Sequence, residues 1–227
     1  MSTRIVPPTI FETFPRIVRN TVKPLLLNTS TPHTRPIMSS GAAPSSVAGS
    51  ISANVADYNF QTKLPSSSST SLDSRQSLLT NSVLDLFAGY PTKRKLALWI
   101  DEASFHDPLT IAEGRKQYES QWYGLKSVMS EIHQQHVEVV RAGNPIELKL
   151  KTLYKVKGIG SEQVIDSHVL VHLDGDGQRI VKVEDRWDGK IPDNAFAKAF
   201  RNLNSVTVPI AVSVPKSIEE EEGTAKR

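Results

Sequence analysis

The sequence predicts an α+β domain, a cone in which three N-terminal helices pack against a curved antiparallel sheet of about four long strands. Apolar residues recur with a helical period up to about Leu125, and from Val128 onward they alternate with a period of two. Gly, Asn and Pro separate the alternating segments, as in the turns of antiparallel sheets. A strongly curved sheet closed by helices would enclose a pocket.

The three helices are expected within residues 72–128. The first, residues 72–88, has one apolar face and can be capped by Ser71 or Ser74. A short second helix begins at Pro91 and extends to Ile100. The third follows Gly114 and turns its aromatic residues inward at helical spacing.

The strands follow from the period of two. Glu131–Arg141 and Ile146–Val156 are predicted to pair, and the second alternates apolar with charged residues over most of its length. Val164–Gly189 is predicted to be the central hairpin, with its turn at Asp174–Gly177. This Asp-Gly-Asp-Gly segment lacks the spacing of a calcium loop, so we interpret it as a turn.

The chain ends are expected to lie outside the domain, which we assign to residues 71–205. A short helix is predicted near Asn194–Asn202, and a last extended segment at Val206–Val214. Residues 206–227 form a C-terminal extension, and Glu219–Glu222 is expected to be a solvated acidic tail.

Residues 1–70 differ in composition from the remainder. They hold 8 of the 14 prolines and six Lys or Arg, but only two acidic residues. This Arg-bearing, Ser/Thr-rich profile is typical of a mitochondrial transit peptide, and Arg35–Ser40 resembles a processing site. We expect a disordered tail and linker that direct the protein to the mitochondrial matrix. A tail without a targeting role, in a cytoplasmic protein, is the alternative.

The charge and cysteine content of the sequence exclude several classes of binding site and chemistry. Residues 71–227 hold 21 basic and 22 acidic residues, so no basic surface for nucleic acid is expected. The chain has no cysteine, which excludes disulfides and thiolate chemistry. No apolar run reaches the length of a transmembrane helix.

Three motifs within Leu78–Gly189 resemble the nuclear transport factor 2-like superfamily, in its SnoaL-like and ketosteroid-isomerase-like branch. They are Phe105-His106-Asp107-Pro108, Gly114, and Leu173-Asp174-Gly175-Asp176-Gly177-x-x-Ile180 leading to Trp187-Asp188-Gly189. The resemblance implies a cone-shaped fold. The superfamily includes isomerases, dehydratases, polyketide cyclases and epoxide hydrolases, as well as non-catalytic binding and dimerisation modules.

Asp107 is the first catalytic candidate, since the resemblance places it at the general base of the isomerases. A carboxylate in a partly dry pocket can move a proton at carbon. The alternative is that Asp107 only caps the following turn. The resemblance also implies an oxyanion hole, but its tyrosine position falls near Val83 or Phe87 and its acid position near Val169. Steroid isomerisation is therefore disfavoured.

Asp185 is the second catalytic candidate. It alternates with Val183 and Trp187 on the strand face expected to point inward, where burial would raise its pKa. The alternative is an Asp paired with Arg115, Arg186 or a backbone group. An Asp107–Asp185 pair would suit acid–base work only if both carboxylates open into one cavity.

The aromatic and apolar residues of the helices and strands supply the predicted pocket lining, with ordinary core packing as the alternative. The predicted lining residues are Trp99, Phe105, Tyr118, Trp122, Tyr154, Val169, Val183 and Trp187. No metal site is expected, because neither His133 and His136 nor His168 and His172 can converge on one ion. No cofactor is expected.

We therefore expect a binding or dimerisation module with a small apolar pocket. A homodimer is expected through the outer sheet face that carries His168 and His172, as the resemblance implies. The alternative function is a cofactor-free SnoaL-like isomerase, dehydratase or cyclase with Asp107 or Asp185 as its base.

Overall fold

The sheet organises the domain, and its strand order is β2-β1-β6-β5-β4-β3 over the residues described by the computed structural model. These are residues 54–65, 70–192, 195–203 and 213–225, all within one compact unit, Val47–Arg227. The elements in chain order are α1 (Ser74–Phe87), α2 (Lys93–Leu96), β1 (Trp99–Asp107), β2 (Thr110–Glu113), α3 (Arg115–Val128), β3 (Met129–Arg141), β4 (Ile146–Val156), β5 (Glu162–Leu173), β6 (Ile180–Trp187), α4 (Ala195–Leu203) and α5 (Ile218–Ala225).

The α+β class and the antiparallel part of the sheet are confirmed. Strands β3 to β6 form an antiparallel meander, and β4 has the bounds that its alternating pattern predicts. Three register shifts interrupt the β3–β4 ladder, and such bulges bend a strand. The predicted hairpin turn is also confirmed, because the Gly177 N–H donates to the Asp174 carbonyl and the Gln178 N–H donates to the Asp174 carboxylate.

The expected second helix is wrong in extent. Helix α2 ends at Leu96, and Trp99 begins a strand instead. Strand β1 pairs antiparallel with β2 and parallel with β6. The described sheet is therefore mixed and has six strands, rather than the four antiparallel strands that the sequence predicts. The register shift between Trp99 and Ser104 interrupts alternation along β1, so the strand carries no clean period of two.

Helix α1 starts at a capping box, in which Asp73 and Gln76 satisfy each other's backbone N–H groups. Asp73, rather than the predicted Ser71 or Ser74, is therefore the N-cap. After the helix, Gly89 has a φ of 80°. This positive φ favours glycine, and a Cβ at this position would also lie 2.8 Å from Cδ1 of Ile132 on β3.

Residues 54–65, which the composition assigns to the tail, pack against the domain. Tyr58 is buried and stacks on Phe60. The backbone N–H groups of Gln61 and Thr62 donate to the Asp85 carboxylate on α1. The packed region therefore begins before the expected boundary at residue 71.

The acidic C-terminal segment is a helix that contacts the domain, rather than a solvated tail. On α5, the Glu221 carboxylate accepts hydrogen bonds from the Lys93 N–H (2.8 Å) and the Tyr123 hydroxyl (2.6 Å). Arg94 forms an ion pair with Glu222 at 2.7 Å. The extended segment predicted for Val206–Val214 lies mostly outside the described residues. No helix in the described part of the chain is long and apolar enough to cross a membrane.

Candidate functional site

An enclosed cavity lies between the sheet and the helices. Its volume of about 10 Å³ is room for about one water molecule. The wall combines six aromatic rings with three polar side chains. The described lining residues are Phe87, Phe105, Asp107, Gln121, Trp122, Leu125, Tyr154, Ile165, Asp185, Trp187 and Phe200.

The pairing of β1 with β6 brings the two aspartates together. In this parallel pair Phe105 lies beside Val183, and His106 lies beside Glu184. The next residues in the same register are Asp107 and Asp185, on strands about 5 Å apart. Both aspartates line the cavity, which is the geometric condition that the pair hypothesis required.

Asp107 ends β1 and opens the turn to β2. Its Oδ1 accepts a hydrogen bond of 2.7 Å from the Leu109 N–H, and Thr110 donates to the same carboxylate. Burial raises the pKa of Asp107 to about 6, although these hydrogen bonds oppose the shift. Asp107 therefore accepts hydrogen bonds in the turn and also lines the cavity, so the turn contacts do not remove it from the candidate site.

Asp185 is the more deeply buried of the two, with 6% of its surface exposed. Its Oδ2 accepts a hydrogen bond of 2.7 Å from Trp187 Nε1, and the Ser167 hydroxyl also donates to the carboxylate. Burial, and secondarily the charge of Asp107, raises the pKa of Asp185 to about 7. Its Oδ1 has no hydrogen-bond partner among the described residues.

Neither of the two arginines considered as partners of Asp185 forms an ion pair with it. Arg115 pairs with Asp101 at 2.5 Å and with Glu119 at 3.3 Å. Arg186 pairs with Glu184 at 2.9 Å. The described lining of the cavity contains no basic residue. The two carboxylates therefore lack a cationic counterpart in that wall.

The lining residues named from the sequence divide into two groups. Phe105, Trp122, Tyr154 and Trp187 line the cavity. The other four, Trp99, Tyr118, Val169 and Val183, are fully buried in the core and do not line it. The Tyr118 hydroxyl donates to the Ile100 carbonyl, which holds its ring against Trp99. For these four, the alternative of ordinary core packing is correct.

Helix α4 supplies lining that the sequence did not indicate. Phe200 lines the cavity, and its ring lies 6.1 Å from Trp187 and 6.1 Å from Tyr154. Phe196 packs beside it, 4.5 Å away. Both rings lie on α4, but only the tertiary fold shows that they pack over the aspartate cavity.

A second, open groove adjoins the enclosed cavity. It has a volume of about 330 Å³ and shares Asp107, Asp185 and Trp187 with the cavity. Its remaining described lining residues are His106, Pro108, Glu184 and Arg186. Hydrogen bonds from Lys182 and Arg186 lower the pKa of Glu184 to about 2. The groove therefore connects solvent to Asp107 and Asp185, while Arg186 beside them contacts Glu184.

No protein-family model matches the sequence, and no curated protein matches it. Solved structures with a similar fold include an NTF2-like protein of unknown function from Exiguobacterium sp. 255-15, at 18% identity and a TM-score of 0.41, covering 49% of this chain and 99% of its own. A steroid delta-isomerase from Pseudomonas aeruginosa, at 16% identity and a TM-score of 0.44, covers 60% of this chain and 92% of its own.

A hexachlorocyclohexane dehydrochlorinase, at 11% identity and a TM-score of 0.41, covers 52% of this chain and 85% of its own. At such identities the likeness concerns the fold, so the chemistry of this chain has to be argued from its own site.

Proposed function

We propose that this protein is a cofactor-free acid–base catalyst that moves a proton on a small, largely apolar substrate. The observation that carries the proposal is the Asp107–Asp185 pair on one aromatic cavity. Carboxylates with pKa values near neutrality, in a largely apolar cavity, are suited to proton transfer. The proposal places the protein with isomerases, dehydratases and cyclases by reaction class.

Asp107 is the general base in this proposal. Its pKa of about 6 leaves it mostly ionised at neutral pH, yet basic enough to accept a proton from an activated carbon. The Leu109 N–H holds one carboxylate oxygen in place. Asp107 is also more exposed than Asp185, so a molecule in the open groove reaches it first.

Asp185 is the residue that holds the substrate. Trp187 and Ser167 fix its carboxylate, and Oδ1 is left to accept a hydrogen bond from a ligand. A steroid-type reaction is not supported, because the positions expected to stabilise an enolate carry Val83, Phe87 and Val169. The substrate is therefore held by one of its own donor groups, which hydrogen-bonds to the Asp185 carboxylate.

A second candidate function is a binding module without catalysis, because the cavity as it stands in the structure is too small to enclose a substrate. Room for about one water molecule means that a ligand enters the interior only if the walls move. Phe200 on α4 is one such wall. A chemical probe of proton transfer separates the two candidates.

The probe is 5-nitrobenzisoxazole, which a base converts to a coloured phenolate by removing the proton from carbon 3 while the N–O bond breaks. We expect the protein to accelerate this reaction and Asp107→Asn to lower the rate about 100-fold. The rate of the wild-type protein should rise with pH through about 6, as Asp107 ionises. Absorbance at constant protein concentration measures both effects.

Asp166→Asn is the matched control, because Asp166 is an exposed carboxylate on β5. It should retain the wild-type rate. If Asp107→Asn is as fast as Asp166→Asn, the base assignment is wrong, and the binding module becomes the better-supported function.

A further inference from the structure

We propose that the ligand of this site is a small organic ammonium ion, with its charge against Asp185 and Asp107 and its hydrocarbon part on the surrounding aromatic rings. The inference rests on the proposed function in one respect, since it takes the two carboxylates as the groups that face the ligand. It adds the chemical class of the ligand.

Charge balance is the first argument. Asp107 and Asp185 line the enclosed cavity together, and no described lining residue there is basic. In the adjoining groove, Arg186 contacts Glu184, which also accepts from Lys182 at 2.9 Å, rather than either aspartate. Neither Asp107 nor Asp185 has an ion-pair partner among the described residues, and a bound cation would supply one.

The orphan oxygen is the second argument. Asp185 is 6% exposed, and its Oδ1 has no hydrogen-bond partner among the described residues. A buried carboxylate oxygen without a donor is costly, and an ammonium N–H is a strong donor for it. Trp187 Nε1 already donates to Oδ2, so a ligand N–H that donates to Oδ1 would give both carboxylate oxygens a hydrogen bond.

The aromatic wall is the third argument. The Phe200 ring lies 6.1 Å from Tyr154 and 6.1 Å from Trp187, and Phe105 packs 4.6 Å from Trp122. The faces of such rings attract cations, and their area packs against hydrocarbon. Aromatic rings combined with acidic groups favour an ammonium ion over an anion.

A neutral alcohol is the main competitor. Trp122 Nε1 also has no hydrogen-bond partner among the described residues, and a hydroxyl group can both donate and accept. Three probes with the same ring separate the cases: cyclohexylammonium, cyclohexanol and cyclohexanecarboxylate. Tryptophan fluorescence reports binding, because Trp122 and Trp187 line the cavity, and titration calorimetry measures the affinity.

At pH 8 we expect cyclohexylammonium to bind at least tenfold more tightly than cyclohexanol, and cyclohexanecarboxylate most weakly. Asp185→Asn should lower the preference for the cation, because only Asp107 then carries a charge against it, whereas Asp166→Asn should keep the full preference. Equal or tighter binding of cyclohexanol to the wild-type protein would overturn the inference, as would an unchanged preference in Asp185→Asn or a failure of all three probes to bind.

The wild-type protein provides a test that needs no variant. Cyclohexylammonium should bind at least tenfold more tightly at pH 8 than at pH 5.5, because both carboxylates must be ionised to face it. The charged and titratable groups around them are Tyr154 on β4 and, on the groove side, His106, Glu184 and Arg186. A pH-independent affinity would contradict the inference.

Either proposal can be rejected without rejecting the other. Cation-selective binding with no effect of Asp107→Asn on 5-nitrobenzisoxazole would support the ligand class and reject the catalytic function. Catalysis that depends on Asp107, without selectivity for the cation, would reject only the ligand class.

Discussion

At the scale of single residues, Asp185 is a buried carboxylate whose incomplete hydrogen bonding suits it to chemistry but costs stability. Its side chain lies on the inward face of β6, where alternation with Val183 and Trp187 buries it. Trp187 and Ser167 satisfy part of the carboxylate, but Oδ1 and the nearby charge of Asp107 are left uncompensated. The folded protein therefore favours the protonated form of Asp185, which is the origin of its raised pKa.

This arrangement predicts that Asp185→Asn stabilises the protein at alkaline pH. An unfolded Asp has a pKa of about 4, whereas folded Asp185 has a pKa of about 7. The folded state thus binds more protons between these values, so stability falls as pH rises from about 4 through about 7. Asn carries no charge and avoids this loss, which amounts to about 4 kcal/mol.

Urea unfolding at pH 4 and pH 8 measures the effect. The gain of Asp185→Asn over the wild-type protein should be small at pH 4 and near its full size at pH 8. A gain that is the same at both pH values would mean that Asp185 does not titrate abnormally. Asp166→Asn, on the exposed side of β5, should show little change at either pH.

At the scale of elements, two short helices after the sheet complete the domain. Helix α4 packs on α3 and β4 and covers the aspartate cavity with Phe200. Helix α5 contacts α2 and α3 through Glu221, which accepts from the Lys93 N–H and the Tyr123 hydroxyl. Burial, together with the hydrogen bond to Glu221, raises the pKa of Tyr123.

The α5 contact predicts that two neighbouring glutamates differ in importance. Glu221→Ala removes the acceptor of both hydrogen bonds and should lower the free energy of unfolding by about 1–2 kcal/mol. Glu222→Ala, the matched control on the same helix, removes only an exposed ion pair with Arg94 and should cost less than about 0.5 kcal/mol. Thermal unfolding of the two variants measures the difference. Equal losses would show that the Glu221 contact is absent in solution.

At the scale of the whole molecule, the outer sheet face is the surface on which the sequence predicts a homodimer. It carries His168, 3.5 Å from Glu147, and His172, 3.3 Å from Glu184. Leu170 lies between the two histidines and is only 6% exposed. The homodimer and import into mitochondria both stay predictions.

The dimer prediction is tested by reversing one exposed charge on that face. Lys149→Glu places a like charge beside Glu147, so a dimer formed through this face should dissociate. Sedimentation velocity should show a wild-type dimer that becomes a monomer in Lys149→Glu. Lys116→Glu on α3 is the control and should stay dimeric. A wild-type monomer, or equal behaviour of both variants, would exclude a dimer through this face.

The sequence alone determined the class of the domain and its central strands. Alternation over Ile146–Val156 and Val164–Gly189 predicted β4 to β6 because a half-buried strand imposes a period of two on its side chains. The same period placed Asp185 and Trp187 on the inner face. Glu221 was not predictable, since a run of four glutamates has no feature that marks one as buried against distant groups.

Only the tertiary structure decided that Asp107 and Asp185 meet. Strand β1 has an irregular pattern, and its parallel pairing with β6 joins residues almost eighty positions apart. The residue pattern within either strand does not predict which residue of β1 lies beside which residue of β6. The cover over the cavity is decided in the same way, because an amphipathic helix such as α4 shows which face is apolar but not what it covers. Local patterns reflect which side chains are buried, whereas an active site depends on which buried side chains become neighbours.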